Sequence, residues 1–169
     1  MVTPAGTQRR SSGLQRSLLL ILLTVMVAVT VLLIAVLEPL RVTSGSMSPT
    51  LAAGDHVLVD KLSGQWRPPE VGDLVVFREP QGGQLAVKRI VALEGQTVAL
   101  EDGVLHVDGT ARHESQVDLA GVDSVYFGPV TVPVSSVFVM GDNRGESLDS
   151  RTYGAIPRDE LVGRVLFVQ

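Results

Sequence analysis

Residues 18–37 read LLLILLTVMVAVTVLLIAVL, twenty positions with no charge and only Thr24 and Thr30 as polar members. As a helix this run is about 30 Å long, the thickness of a bilayer's hydrocarbon core. A core helix of a soluble protein would keep some polar face, and this run has none. It also exceeds the roughly 7–15 apolar residues of a secretory signal, and no Ala-x-Ala tripeptide follows it. The run reads as an uncleaved transmembrane anchor.

Charge gives the anchor a direction. Of the 14 Lys and Arg, three (Arg9, Arg10, Arg16) precede the run, and none of the 18 acidic residues does. The chain beyond the run therefore carries a net charge of −7. Under the positive-inside rule, the tail 1–17 is expected in the cytoplasm and residues 38–169 outside the membrane. The acidic body argues against nucleic acid as a partner, and membrane lipid is the partner the anchor implies. Cys is absent, which excludes disulfide frameworks, Cys-ligated metals and cysteine nucleophiles.

Past the anchor, short β-branched runs alternate with Gly, Pro and Asp. Strands are expected at 55–61, 73–79, 84–93, 96–101, 104–108, 124–127, 135–140 and 161–168. Asp102-Gly103 and Asp108-Gly109 read as hairpin turns. No sustained 3.6-residue periodicity occurs, so residues 38–169 are expected to form an all-β, mainly antiparallel domain. The polar stretch 109–123 reads as a surface excursion, and Trp66 as either an interface-seeking or a packed loop aromatic.

Three segments can carry chemistry. Ser44-Gly45-Ser46-Met47-Ser48-Pro49 lets the chain turn sharply and present a hydroxyl beside backbone N–H groups, although Ser-Gly-Ser alone is ordinary linker sequence. Lys88 is one of two Lys in the chain and lies within the apolar strand QLAVKRIVAL. Period two puts it on the face of Ala86, Ile90 and Ala92, opposite Leu85, Val87, Arg89, Val91 and Leu93. Burial there would lower its pKa and free the amine as a base, against the alternative of a snorkelling edge Lys. The third segment, GDNRGESLDSR at 141–151, is dense in Asp, Asn and Arg. It lacks the spacing of a calcium loop and reads as a loop held by hydrogen bonds and an ion pair.

Together SGSMSPTL at 44–51, GDLVVF at 72–77, VKRIVALEGQ at 87–96 and GDNRGESLDSRTYG at 141–154, all behind an anchor, closely resemble the bacterial type I signal peptidases, the Ser/Lys leader peptidases of peptidase family S26. The resemblance covers nearly all of the chain from Ser44 onward, apart from 109–134. It implies a membrane-anchored serine endopeptidase with a β peptidase domain at 38–169, whose small β excursion lies around 97–134. Its substrates would be preproteins with small residues one and three positions before the cut, met near the export machinery. Carried over by position, Ser46 is the nucleophile and Lys88 the general base, with the Ser44 hydroxyl and Ser46 N–H as the oxyanion hole. Ser147 is the hydroxyl that orients the Lys88 amine. Asp149, Arg151 and Arg89 form the ion-pair cluster behind the site. No metal or organic cofactor is implied. Ser46 follows Leu37 by nine residues, which limits its distance from the anchor to about 30 Å of chain.

Other readings remain open on the residues alone. A Ser-His-Asp enzyme would need His56, His106 or His113, two of which sit in alternating strands. A Ser/Lys self-cleaving relative shares the dyad but would not need the anchor. An inactive, anchored β-domain that binds peptides has no use for the joint set Ser44, Ser46, Lys88 and Ser147.

Overall fold

The computed structural model describes residues 9–62, 67–117, 122 and 125–168, so Trp66 lies outside the described residues. The chain resolves into two compact units, residues 1–37 and 38–169.

The first unit is built on helix α1, Arg9–Val36. Within it Gly13–Val36 has a mean hydropathy of 3.2, long and apolar enough to cross a membrane. The helix starts before the expected run and ends one residue short of it, because Leu37 already opens a strand. Thr24 and Thr30 do not interrupt it. Their hydroxyls donate to the carbonyls of Leu20 (2.8 Å) and Met26 (2.9 Å), which satisfies both polar groups inside the helix's own surface.

The second unit is all-β, as the strand pattern predicts. Its strands are β1 (Leu37–Arg41), β2 (His56–Asp60), β3 (Leu74–Arg78), β4 (Leu85–Leu93), β5 (Thr97–Glu101), β6 (Val104–Val107), β7 (Thr110–Ala111), β8 (Phe127–Thr131), β9 (Ser136–Met140), β10 (Ile156–Pro157) and β11 (Leu161–Val168). A seven-stranded sheet has the order β1-β2-β11-β3-β4-β9-β10, and a four-stranded sheet the order β7-β6-β5-β8. Every strand pairing with a defined register is antiparallel. Both predicted hairpin turns form, with Asp102-Gly103 and Asp108-Gly109 all at positive φ, the backbone that two-residue turns between twisted strands require.

Some expectations are corrected. The strand expected at 124–127 begins instead at Phe127 and runs through Gly128 and Pro129 to Thr131. A proline lacks the N–H for a central ladder, but β8 is an edge strand and pairs only with β5. On β4, the register shifts between Ile90 and Ala92, a β-bulge that resets the alternation. Ala92 therefore packs with Val91 against β5 and β6, while Leu93 joins the Ile90 side.

Strand β4 organises the interior. Val87 packs with Met47, Leu51, Val57 and Val76, whereas Ile90 packs with Val75, Phe77, Val139 and Ile156. Val91 and Ala92 join Phe138 and Met140 to the four-stranded sheet. A Lys at position 88 thus sits where three apolar clusters meet.

Candidate active site

Lys88 pairs across the sheet with Val75, and the neighbouring same-face rungs are Phe77–Ala86 and Ile90–Val139. Its side chain is 3% exposed. The ammonium has lost most of its water in this apolar frame, which lowers its pKa below the ordinary Lys value. Asp149 and Glu79 partly offset that shift, and Arg151 adds to it. One polar atom lies directly in front of the amine. Lys88 Nζ is 2.6 Å from Ser46 Oγ.

Ser46 is presented by a tight turn. Met47 and Leu51, both at most 1% exposed, anchor the turn in the core, and Ser46 itself is buried beside Lys88. Ser48 N–H donates to Gly45 C=O at 3.0 Å, and Leu51 N–H to Met47 C=O at 2.9 Å. Ser44 Oγ lies 3.2 Å from Ser46 Oγ. The Ser46 N–H enters no internal backbone bond among the described residues. The Ser44 hydroxyl and the Ser46 N–H are therefore both left with donor capacity beside Ser46 Oγ.

The loop after β9 clamps this turn. Asn143 N–H donates to Ser46 C=O at 3.1 Å, and its side-chain amide donates to Gly45 C=O at 3.2 Å. Gly141 passes so close that a Cβ on it would lie 2.5 Å from Ser46 C=O and 2.2 Å from Ser147 Oγ. Only glycine fits there.

The predicted ion-pair cluster separates into two pairs. Arg89 does not join Asp149 and Arg151; it grips Asp142 with two bonds of 2.8 and 2.7 Å. Thr50 Oγ1 donates to the same carboxylate at 2.5 Å, so Asp142 ties β4 to the turn that carries Ser46. The reason is facial: Arg89 points away from the Lys88 side, towards Gly72, whose carbonyl it also binds. Asp149 and Arg151 pair with each other (2.8 and 2.9 Å), and Asp149 also accepts from Gly141 N–H at 3.0 Å. Asp149 caps the one-turn helix α2, Ser150–Tyr153.

Ser147 is not hydrogen-bonded to Lys88. Its hydroxyl is buried, beside Gly141, and has no hydrogen-bond partner among the described residues. His106 lies near Glu101 and not at the dyad. Sequence reasoning missed Thr50, Asp142, Asn143 and the Glu114–Arg144 pair. Glu114 sits in the polar excursion and binds Arg144 at 2.5 Å, while Arg144 Nε donates to Gly141 C=O at 3.1 Å. Asp142 and Asn143 were visible as loop residues, but which atoms they hold depends on a turn nearly a hundred positions earlier.

In front of the dyad runs a groove lined by Leu40, Val42, Met47, Leu85 and Val87, with Ser44, Ser46 and Lys88 at its floor. Strand β9 pairs with β4 only from Arg89 onward, so the edge at residues 85–88 has no strand partner on that side among the described residues. An extended peptide could add to it.

The family model for "Signal peptidase, peptidase S26" matches residues 15–169. The chain is 39% identical over 155 residues to the probable signal peptidase I-1 of Synechocystis, an alignment covering 87% of this chain and 78% of that protein. It is also 39% identical over 144 residues to the thylakoidal processing peptidase 1 of Arabidopsis thaliana, covering 79% of this chain and 42% of that one. Among solved structures, a signal peptidase I from Enterococcus faecalis superposes with a TM-score of 0.53 at 30% identity, over 60% of this chain and 98% of that one.

Proposed function

Since the chain belongs to the signal peptidase family, peptidase S26, we propose that it removes N-terminal signal peptides from preproteins with Ser46 as nucleophile and Lys88 as general base. The observation that carries the assignment is the 2.6 Å separation of Lys88 Nζ and Ser46 Oγ, with the lysine 3% exposed.

An ordinary Lys is neutral in only about one molecule in 10³ at pH 7, too few to serve as a base. Burial raises that fraction, and a bound substrate that excludes more water raises it again. Neutral Lys88 takes the proton of Ser46 as Oγ attacks the scissile carbonyl. The developing oxyanion is met by the Ser44 hydroxyl and the Ser46 N–H, donors each worth about 3–4 kcal/mol in comparable sites. The Lys88 ammonium then gives its proton to the leaving amine, an acyl-enzyme remains, and Lys88 activates the water that releases it.

We assign the unpartnered Ser147 hydroxyl the task of holding the Lys88 amine in line. The Asp142–Arg89 and Asp149–Arg151 pairs act behind the reacting atoms, fixing the two ends of the loop that grips Ser46. Near the dyad the groove is walled by apolar side chains such as Met47, Leu85 and Val87, and the little room such walls leave supports a preference for small side chains just before the cut. We place the N-terminal tail in the cytoplasm and the β unit on the far side of a bacterial plasma membrane, on the charge asymmetry around the anchor, where membrane lipid and the export machinery would surround it.

The test is incubation of the purified full chain, in detergent or lipid, with a preprotein, mapping the cut by mass spectrometry. Cleavage at the signal-peptide boundary, lost in Ser46→Ala, is the expected result. Cleavage that survives that substitution overturns the assignment.

A further inference from the structure

The peptide groove contains two charges the dyad chemistry does not need, Glu79 and Arg41, which form no ion pair with each other among the described residues. Glu79 lines it together with Ser46 and Lys88. Its carboxylate has no hydrogen bond or ion pair among the described residues, although its backbone is held by Gln84 and Gly83.

Register fixes where that carboxylate lies along the groove. Val75 pairs with Lys88 and Phe77 with Ala86. Glu79 N–H donates to Gln84 C=O at 2.9 Å, which continues the same hairpin by one more same-face rung. Glu79 therefore shares the Lys88 face, four residues along from it, or about 13 Å at the rise of a strand. The edge of β4 between these rungs is the one that lacks a strand partner. A peptide added to that edge advances residue for residue with β4.

We propose that Glu79 is a specificity-determining residue that selects a Lys or Arg side chain on the bound peptide, about four residues from the scissile bond. The inference rests on the cleavage reading above. Half-burial of the carboxylate beside an apolar wall leaves it short of water, and a cation delivered by the peptide restores its partner. There is a second consequence at the dyad. The Glu79 charge, like that of Asp149, favours protonated Lys88 and opposes burial and Arg151. A cation on the substrate cancels the Glu79 part, so the amine is released most readily when such a peptide fills the groove.

The test is a peptide series cut by the full chain in detergent micelles. The uncharged parent is compared with variants carrying a single Lys, Gln or Glu at the third, fourth or fifth residue on either side of the cut. At one of these positions the wild type should cut the Lys peptide about three- to tenfold faster in kcat/KM than the Gln peptide, as expected for an ion pair partly withdrawn from water. About 0.5 M salt should shrink that ratio. The ratio should fall to near one in Glu79→Gln and invert in Glu79→Lys, which should prefer the Glu peptide. Because each ratio is taken within one enzyme, a change in the parent rate does not enter it. A flat series in the wild type, or a Lys preference that persists in Glu79→Gln, overturns the inference. Failure of the wild type to cut the parent at all would instead overturn the cleavage reading itself.

Discussion

Asn143 holds Ser46 from behind: its N–H donates to the Ser46 carbonyl at 3.1 Å, and its side chain takes the carbonyl of Gly45. The Ser46 backbone is thus fixed by a loop from the other end of the sequence. Its hydroxyl is left to Lys88 and to Ser44 on the open side. In the proposed mechanism the back of the turn is structural and its front is reactive, and this division organises the expected effects of substitution.

Ser46→Ala and Lys88→Met should each abolish preprotein cleavage, with rates reduced by at least about 10³-fold, in proteins that stay folded. Lys88→Arg should be equally inactive, since a guanidinium does not give up its proton near neutral pH. Quantified cleavage of a single preprotein, alongside far-UV circular dichroism, checks all three.

The pH dependence follows from the burial of Lys88. Its folded-state pKa is lowered, chiefly by desolvation. The acid limb of kcat/KM should therefore rise with pH through an apparent pKa below the ordinary Lys value. Stability carries the same sign. The folded state disfavours the ammonium, so wild type is penalised at pH below the folded pKa, and the penalty lifts as pH rises from there towards the unfolded value. Lys88→Met removes the penalty altogether. Its Tm should exceed that of wild type near neutrality, and the gap should close at alkaline pH. Calorimetry across that range tests the sign.

Much of this arrangement was legible in the sequence because local chemistry dictated it. The apolar run specifies a helix long and apolar enough to span a membrane, and Asp-Gly pairs at 102–103 and 108–109 specify two-residue turns directly. Apart from the two-residue β7, which falls in the polar stretch 109–123, the strands missing from the expected set share one cause. β1, β8 and β10 contain Pro39, Pro129 and Pro157, and each lies at the edge of a sheet, where a missing N–H costs nothing. Proline reads locally as a breaker, and edge position is a property of the whole sheet. At the site, Ser46 and Lys88 could be named from their motifs. The partner of Arg89 could not, because Asp142 and Asp149 are both plausible until the loop's path is known. The β4 bulge moved Ala92 and Leu93 across the sheet for a similar reason: a one-residue register shift leaves no mark on the alternation around it.

Arg89→Lys should lower kcat by about 10–100-fold with a smaller change in KM. An ammonium cannot make both bonds that Arg89 now makes to Asp142, nor keep the contact to Gly72 C=O at the same time. Asp142 also receives the Thr50 hydroxyl, so loosening it transmits to the turn that carries Ser46. Steady-state kinetics on one peptide separates this positional loss from weakened binding, which would appear in KM.

Glu114→Gln tests how far the polar excursion supports the site. Arg144 is 4% exposed, and its charge is met by Glu114, whose side chain reaches it from a segment outside every motif of the active centre. Removing one member of a buried ion pair leaves the other charged and poorly solvated, at a cost of about 3–5 kcal/mol. An amide keeps one hydrogen bond and the side-chain volume, so Glu114→Gln should lose less than Glu114→Ala, and both should show a clear fall in Tm. Activity should fall with them, because Arg144 Nε holds the carbonyl of Gly141, the residue wedged between Ser147 and Ser46. Replacing Arg144 with Met in the Glu114→Ala background removes the stranded charge, and should recover much of the Tm while leaving cleavage impaired. Recovery of stability without recovery of rate would separate the electrostatic penalty from the positioning of Gly141. Full recovery of both would show that Arg144 does nothing for catalysis beyond filling space.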